Sequence, residues 1–291
     1  REIGDRRGEA YSLTGLGICC AALGDYRKAI LYHEQSLAIF REIGYRQGEA
    51  ASLNNLGNCY AALGDYRKAI GYFEQSLAIH REIGDRRGEA TNLNNIGNCY
   101  ASQGDYRKAL EYFRQALAIF QEIGYSKGVA ASLGGIGICQ QFLEGCREAL
   151  RYYNQALAIY REIGDKAGKA SILSNFATCY GTLGAYTEEV EHYKQALSIY
   201  QEIGSLKGVA TVLGNIGSYY QDKGDDQQAI IHYKQALAIY HRIGDKVGEA
   251  TILTCFGQLY TSLGDYQIAC LLYTSDAADD GESVDLGGSR I

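Results

Sequence analysis

Cysteine and histidine are the side chains here that could ligate a metal or attack a substrate, and the sequence holds nine of the first and five of the second. Cys19, Cys59, Cys99, Cys139 and Cys179 recur every forty residues at one place in a repeating pattern, where Tyr219 and Leu259 stand later. A free thiol can be a nucleophile or a ligand, but it also packs as a small hydrophobe. Exchange with Tyr and Leu favours packing. Neighbouring packed helices lie about 8–10 Å apart, too far for a disulfide, whose Cα atoms come within about 7 Å. No Cys-x-x-Cys occurs, so no zinc site is expected, and reduced thiols point to a cytoplasmic protein. His33, His80, His192, His232 and His241 stand where other repeats carry aromatic or polar surface residues, with no His-Glu-x-x-His among them. Gly15-Leu16-Gly17 and Gly135-Ile136-Gly137 lack the third glycine and the preceding strand of a dinucleotide fingerprint. The sequence therefore predicts no catalytic residue, no metal, no cofactor and no small-molecule substrate.

Amides and hydroxyls are a different matter. Asn54 with Asn58, and Asn94 with Asn98, are pairs at i and i+4, the spacing that aligns side chains on a helix. The stripe they share continues as Ser174, Thr178, Ser218, Thr254 and Gln258. It is small, polar and nearly uncharged. Each amide offers two donors and one acceptor oxygen, which suits the unpaired backbone of an extended peptide. These nine are the candidate partner-binding residues. The competing reading is that the asparagines bond only to neighbouring helices, as a ladder that aligns repeats. Two charged features also stand open. Glu189 replaces Ala69 and Ala109, so it marks a bend, contacts a ligand, or reaches solvent through a slightly opened helix pair. Arg27-Lys28, Arg67-Lys68 and Arg107-Lys108 read as a solvated face, and only weakly as a site for an acidic partner.

The elements that position these residues follow from the repeat. Asn54 to Ile79 reads NNLGNCYAALGDYRKAIGYFEQSLAI, and Asn94 to Ile119 reads NNIGNCYASQGDYRKALEYFRQALAI. A fixed period in this range decides the whole fold. Ala50, Leu53, Gly57 and Tyr60 fall on one helical face, and Tyr66, Ala69, Ile70, Phe73, Leu77 and His80 on another. Gly64 closes the first helix, and Asp65 N-caps the second. Leu13, Leu53, Leu93, Leu133, Leu173, Leu213 and Leu253 read as core. Glycine at 8, 48, 88, 128, 168, 208 and 248 costs about 1 kcal/mol in a helix relative to Ala, so it implies close backbone approach between helices. Repeat four departs from the pattern, with Gln140 for tyrosine and Leu143-Glu144-Gly145-Cys146 for Leu-Gly-Asp-Tyr. Repeat five has Ala177 for the motif glycine.

The positions Leu56-Gly57, Tyr60, Gly64, Tyr66, Ala69, Phe73 and Ser76-Leu77 resemble the tetratricopeptide repeat motif. The forty-residue period and the joint Ile83 to Ala90 resemble the long variant of the LGN/Pins and kinesin light chain group, and bacterial, notably cyanobacterial, arrays. The resemblance implies an all-α fold, a right-handed α-α superhelix of antiparallel helix pairs with six full repeats and a partial seventh. It also implies that the stripe above lines a concave groove binding extended segments of partner proteins. Lys and Arg are absent from that stripe, which disfavours the carboxylate-clamp subset. The expected function is a non-catalytic protein–protein interaction scaffold. The alternative is the regulatory or sensor arm of a larger signalling protein, since similar cyanobacterial arrays adjoin effector domains.

Charge and boundaries limit the rest. A formal charge of −6 with a pI near 5.5 leaves no basic footprint for nucleic acid. No apolar run of about eighteen residues predicts a membrane span. The repeats start near 1, 41, 81, 121, 161, 201 and 241, giving a solenoid over 1–269. Arg1 to Gly4 matches the end of a second helix, and neither Met nor Pro occurs, so the chain reads as a fragment truncated at its N-terminus. Residues 270–291 leave the period and resemble translated sequencing-adapter DNA. They read as a non-native tail, with a genuine disordered acidic tail as the alternative.

Overall fold

A computed structural model gives the structure of residues 3–265. The tail expected at 270–291 lies outside the described residues. Among the described residues the chain is all α-helix, in thirteen segments. In order these are α1 (Ile3–Ala22), α2 (Tyr26–Glu42), α3 (Arg46–Ala62), α4 (Tyr66–Glu82), α5 (Arg86–Ser102), α6 (Tyr106–Glu122) and α7 (Ser126–Leu143). Then come α8 (Cys146–Glu162), α9 (Lys166–Thr182), α10 (Tyr186–Glu202), α11 (Leu206–Asp222), α12 (Asp226–Ile243) and α13 (Lys246–Ser262). Two compact units divide the chain, Arg1–Ile203 and Gly204–Ile291. The first holds α1 to α10 and the second α11 to α13. Odd-numbered helices are called A and even-numbered ones B.

Local chemistry sets the boundaries. Gly64 sits at φ +80° between α3 and α4, a left-handed conformation that only glycine adopts without steric cost. The Asp65 carboxylate then accepts from the Lys68 N–H at 3.1 Å, satisfying one of the free donors at the helix start. Asp25 and Asp105 do the same for α2 and α6. A helices are capped as well, by Asp85, Asp165, Ser205 and Asp245. At the repeat-four joint Gly145 stands before α8 at φ +100° with no side-chain cap.

Leu53 and Leu93 are 1 % exposed, and Leu133, Leu173 and Leu213 are buried with them. Leu13 and Leu253 are only half-buried; they lie in the first and last described helices, which have fewer described neighbours. The glycines behave differently from the sequence expectation. What comes close is an aromatic ring, not backbone. A Cβ on Gly48 would lie 2.5 Å from the Phe40 ring, and one on Gly128 2.5 Å from Phe120. A second set seats the ring of the same repeat's B helix, with Gly57 under Phe73 and Gly137 under Tyr153. Burial of a ring against a flat helix surface is worth more than the propensity that Gly costs.

Two further expectations need correction. Glu189 does not reach solvent. It is buried, with its Oε1 2.5 Å from where a Cβ on Gly181 would be, so Gly181, in place of Ala61 and Ala101, makes the room. Cys59, Cys99, Cys139 and Cys179 are buried as expected, but Cys19 is exposed, because no described helix precedes α1 to cover it. His33 and His80 are also buried, in the ring seats that Phe73 and Phe40 occupy in neighbouring repeats.

Candidate functional site

In the first unit α2, α4, α6 and α8 each pack between two A helices, while α1 meets α3, α5 meets α7 and α7 meets α9 directly. No comparable contact joins successive B helices among the described residues. The A helices are thus the closer-spaced row, and one stripe along them carries most of the candidate residues. That is where Asn54, Asn58, Asn94, Asn98, Ser174 and Thr178 stand. Ser218, Thr254 and Gln258 hold the same register in the second unit, on α11 and α13.

The structure treats the nine candidates unequally. Asn54 is half-buried, and its Oδ1 accepts from Asn95 Nδ2 at 3.1 Å, across from α5 to α3. Asn94 Oδ1 accepts from Ser132 Oγ of α7, also at 3.1 Å. These two are the rungs of an inter-repeat ladder. Asn58 and Asn98 are exposed and make no hydrogen bond among the described residues. Their amides face outward. Thr178 Oγ1 lies 3.1 Å from Tyr193 Oη, and Ser218 Oγ 3.1 Å from Tyr233 Oη. Both hydroxyls therefore serve a core tyrosine, a demand absent beneath Asn58 and Asn98, where the rings are Phe73 and Phe113. Ser174 and Thr254 donate to carbonyls one turn back, Ala170 O at 3.1 Å and Ala250 O at 2.9 Å. Gln258 is exposed.

Sequence reasoning missed the adjacent row. Asn55, Asn95, Asn175 and Asn215 recur at one repeat position and are half-buried. Asn55 and Asn175 make no hydrogen bond among the described residues. Their recurrence at one register was the available signal, one residue along from the stripe of Asn54 and Asn94.

The margin of the same face carries aromatic and cationic groups that engage each other. The Arg7 guanidinium lies 4.1 Å from the Tyr45 ring centroid, and Arg87 lies 4.2 Å from that of Tyr125. Asp stands at that place in two later joints, and a lysine of the preceding repeat pairs with it, Lys127 with Asp165 and Lys207 with Asp245, both at 2.7 Å. Among the described residues no three His, Cys, Asp or Glu side chains converge as a metal would need. Burial pushes the thiols of Cys59, Cys99 and Cys139 up to about 11, so at neutral pH they are thiols, not nucleophilic thiolates. No described helix is long and apolar enough to cross a membrane.

Comparison with known proteins agrees with the helical-repeat fold. A family profile described as tetratricopeptide repeat matches residues 1–42, 48–122, 93–162, 128–202 and 208–274. Comparison with curated sequences returns no match. Solved structures do resemble the fold. The Rap conjugation gene regulator of the plasmid pLS20, in complex with the Phr* peptide, superposes with a TM-score of 0.76 at 16% identity, over 95% of this chain and 77% of that one. The kinesin light chain repeats of Podosopora anserina give 0.53 at 20% identity, over 68% and 97%. A signal-transduction ATPase of Pyrococcus horikoshii with a tetratricopeptide repeat sensor gives 0.60 at 15%, over 95% of this chain and 42% of that one.

Proposed function

The chain belongs to the tetratricopeptide repeat family, and on that premise we propose that it is a non-catalytic interaction scaffold whose A-helix face holds an extended segment of a partner protein. The observation that carries this reading is the pair Asn58 and Asn98, equivalent amides on α3 and α5, exposed and unbonded among the described residues. Asn55 stands beside them with its amide also unbonded. An extended backbone has a donor and an acceptor at every residue and needs such partners. The Rap regulator's complex with a peptide is consistent with the same use of the fold. Thiols without disulfides among the described residues suit a cytoplasmic setting, which belongs to the same reading. A second reading, the sensor arm of a larger signalling protein, draws support from the Pyrococcus horikoshii ATPase and is compatible with the first.

The test separates groove from ladder. Peptides selected from a random display library against the wild-type chain are titrated into Asn58→Ala with Asn98→Ala, and into Asn54→Ala. The double variant is expected to melt like wild type and to bind about tenfold or more weakly, since each lost hydrogen bond contributes about 1 kcal/mol. Asn54→Ala should instead lose stability. Full-strength binding by the double variant ends the proposal.

A further inference from the structure

Two openings in the first unit lie away from the asparagine face. They lie on the opposite side, in the furrows between successive B helices. One, of about 520 Å³, lies between α4 and α6, with Leu93, Ile96 and Tyr100 of α5 among its lining. Its counterpart one repeat earlier, about 400 Å³, lies between α2 and α4, with Leu56 of α3 in its lining. The two share one design. A buried leucine, Leu77 or Leu37, contributes to the floor. A tyrosine, Tyr112 or Tyr72, forms the far wall and stacks on a second, with centroids 5.5 Å apart for Tyr100–Tyr112 and 5.3 Å for Tyr60–Tyr72. A glutamate, Glu74 or Glu34, stands on the near wall.

Charge decides what such a furrow accepts. The cations that line it are already engaged. Arg81 pairs with Glu89 at 2.9 Å, Arg41 with Glu49 at 2.9 Å, and Lys108 with Asp105 at 3.3 Å. The carboxylates are not: Glu34, Glu74 and Glu111 are exposed and make no ion pair or hydrogen bond among the described residues. Burial first, and after it Tyr100, Glu74 and Glu111, hold the Tyr112 hydroxyl above its ordinary pKa, Glu74 from across the furrow and Glu111 from the ring's own helix. The stacked tyrosines already accept a cation from the chain itself, with Lys68 Nζ 5.1 Å from the Tyr60 centroid and Lys108 Nζ 5.2 Å from that of Tyr100. An apolar floor, a ring wall and a free carboxylate together fit a long cationic side chain, stem along the leucine and head between acid and ring.

We infer that the B-helix side of repeats one to three is a second docking surface, for a basic segment of a partner protein that places one Lys or Arg in each furrow. The chain itself marks where the surface ends. At the next furrow the glutamate position holds Arg114, and Arg151 stands where Glu111 does. The pattern of sign reverses there, and a basic segment is turned away. Arg114 also shows that this position accommodates arginine without loss of the fold.

The experiment copies that reversal. A fluorescent lysine-rich peptide is titrated into the wild-type chain, into Glu34→Arg with Glu74→Arg, and into the charge-matched control Glu144→Arg with Glu162→Arg, which alters exposed acids outside both furrows. Asn58→Ala with Asn98→Ala is measured beside them. The furrow variant is expected to bind about tenfold or more weakly, with the control and the asparagine variant close to wild type. Absence of wild-type binding overturns the proposal. Equal losses in furrow variant and control, the mark of attraction to net charge alone, overturn it as well.

Discussion

Repeats one to four and repeat six each seat a B-helix ring on a glycine of their A helix, and the chemistry of that ring determines its neighbours. Phe73 and Phe113 ask for nothing polar. Tyr153 and Tyr233 must place a hydroxyl, and they donate to Gln141 Oε1 at 3.1 Å and Gln221 Oε1 at 2.8 Å. The glutamines stand at the repeat position of Ala61 and Ala101, so in these two repeats ring and partner change together. His33 fills the same seat over Gly17, 1 % exposed, with no hydrogen bond to Nδ1. Burial lowers its pKa, because a charged ring there loses its hydration. In the window between that lowered value and the ordinary one, the unfolded chain binds more protons than the folded one, so stability rises with pH. It should therefore fall as pH drops below about 6.5, the ordinary histidine value. His33→Phe, which copies Phe73 over Gly57, should remove that part of the slope in urea titrations across the range. Parallel slopes for the two proteins would contradict the assignment. In the sequence His33 stood only among positions that other repeats fill with aromatic or polar surface residues, and the Phe, Tyr and His exchange at its register was the signal for the seat.

At the scale of the helix, the joints were half legible. Gly-Asp before each regular B helix announced its cap. The same dipeptide, Gly84-Asp85, Gly164-Asp165 and Gly244-Asp245, announced the A-helix caps too, but Tyr45 and Tyr125 at the equivalent place concealed the rule. There the cap is absent, and a cation from the preceding repeat covers the tyrosine instead. Asp165 combines both devices. Its carboxylate accepts from Gly168 N–H at 2.8 Å and pairs with Lys127 at 2.7 Å. The Gly168 bond chiefly, and Lys127 after it, hold its pKa below the usual carboxylate range. Asp165→Ala should cost about 1 kcal/mol for the cap, while Asp165→Asn, which keeps a capping oxygen but not the charge, should cost less. The folded carboxylate's share of stability is present above the ordinary Asp value of about 3.9 and is lost as pH falls through its lowered one. Urea midpoints of the three proteins at neutral pH and at acid pH check both statements, and a wild-type advantage that survives full protonation would refute the electrostatic part.

For the molecule as a whole, the period conveyed more about the fold than about the site. Forty-residue spacing predicted the helix pairs, and the leucine row predicted the core, because both depend on patterns that repeat. The site depended on differences between repeats. Asn58 and Asn98 could be read as outward-facing, yet Asn54 and Asn94 were drawn into rungs by Asn95 and Ser132, and Thr178 and Ser218 by tyrosines fifteen residues on. A solenoid has a further property that follows from contacts alone. Each repeat touches its neighbours and little else, so stability is nearly a sum of local terms. Within the first unit α5 touches α4, α6 and α7, while α9 and α10 pack on each other two repeats away. Leu93, 1 % exposed on α5, packs with Ala69, Phe73 and Leu77 of α4 and with Ala116 and Phe120 of α6. Leu93→Ala removes methyl groups from that cluster and should cost roughly 2–5 kcal/mol locally. Amide hydrogen exchange is the measurement that sees where. Protection should fall across α4 to α7, where opening now requires less free energy, and should stay at its wild-type level in α9 and α10. If α9 and α10 lost protection to the same extent as α5, the first unit would open only as one block, and the nearest-neighbour account of it would be wrong.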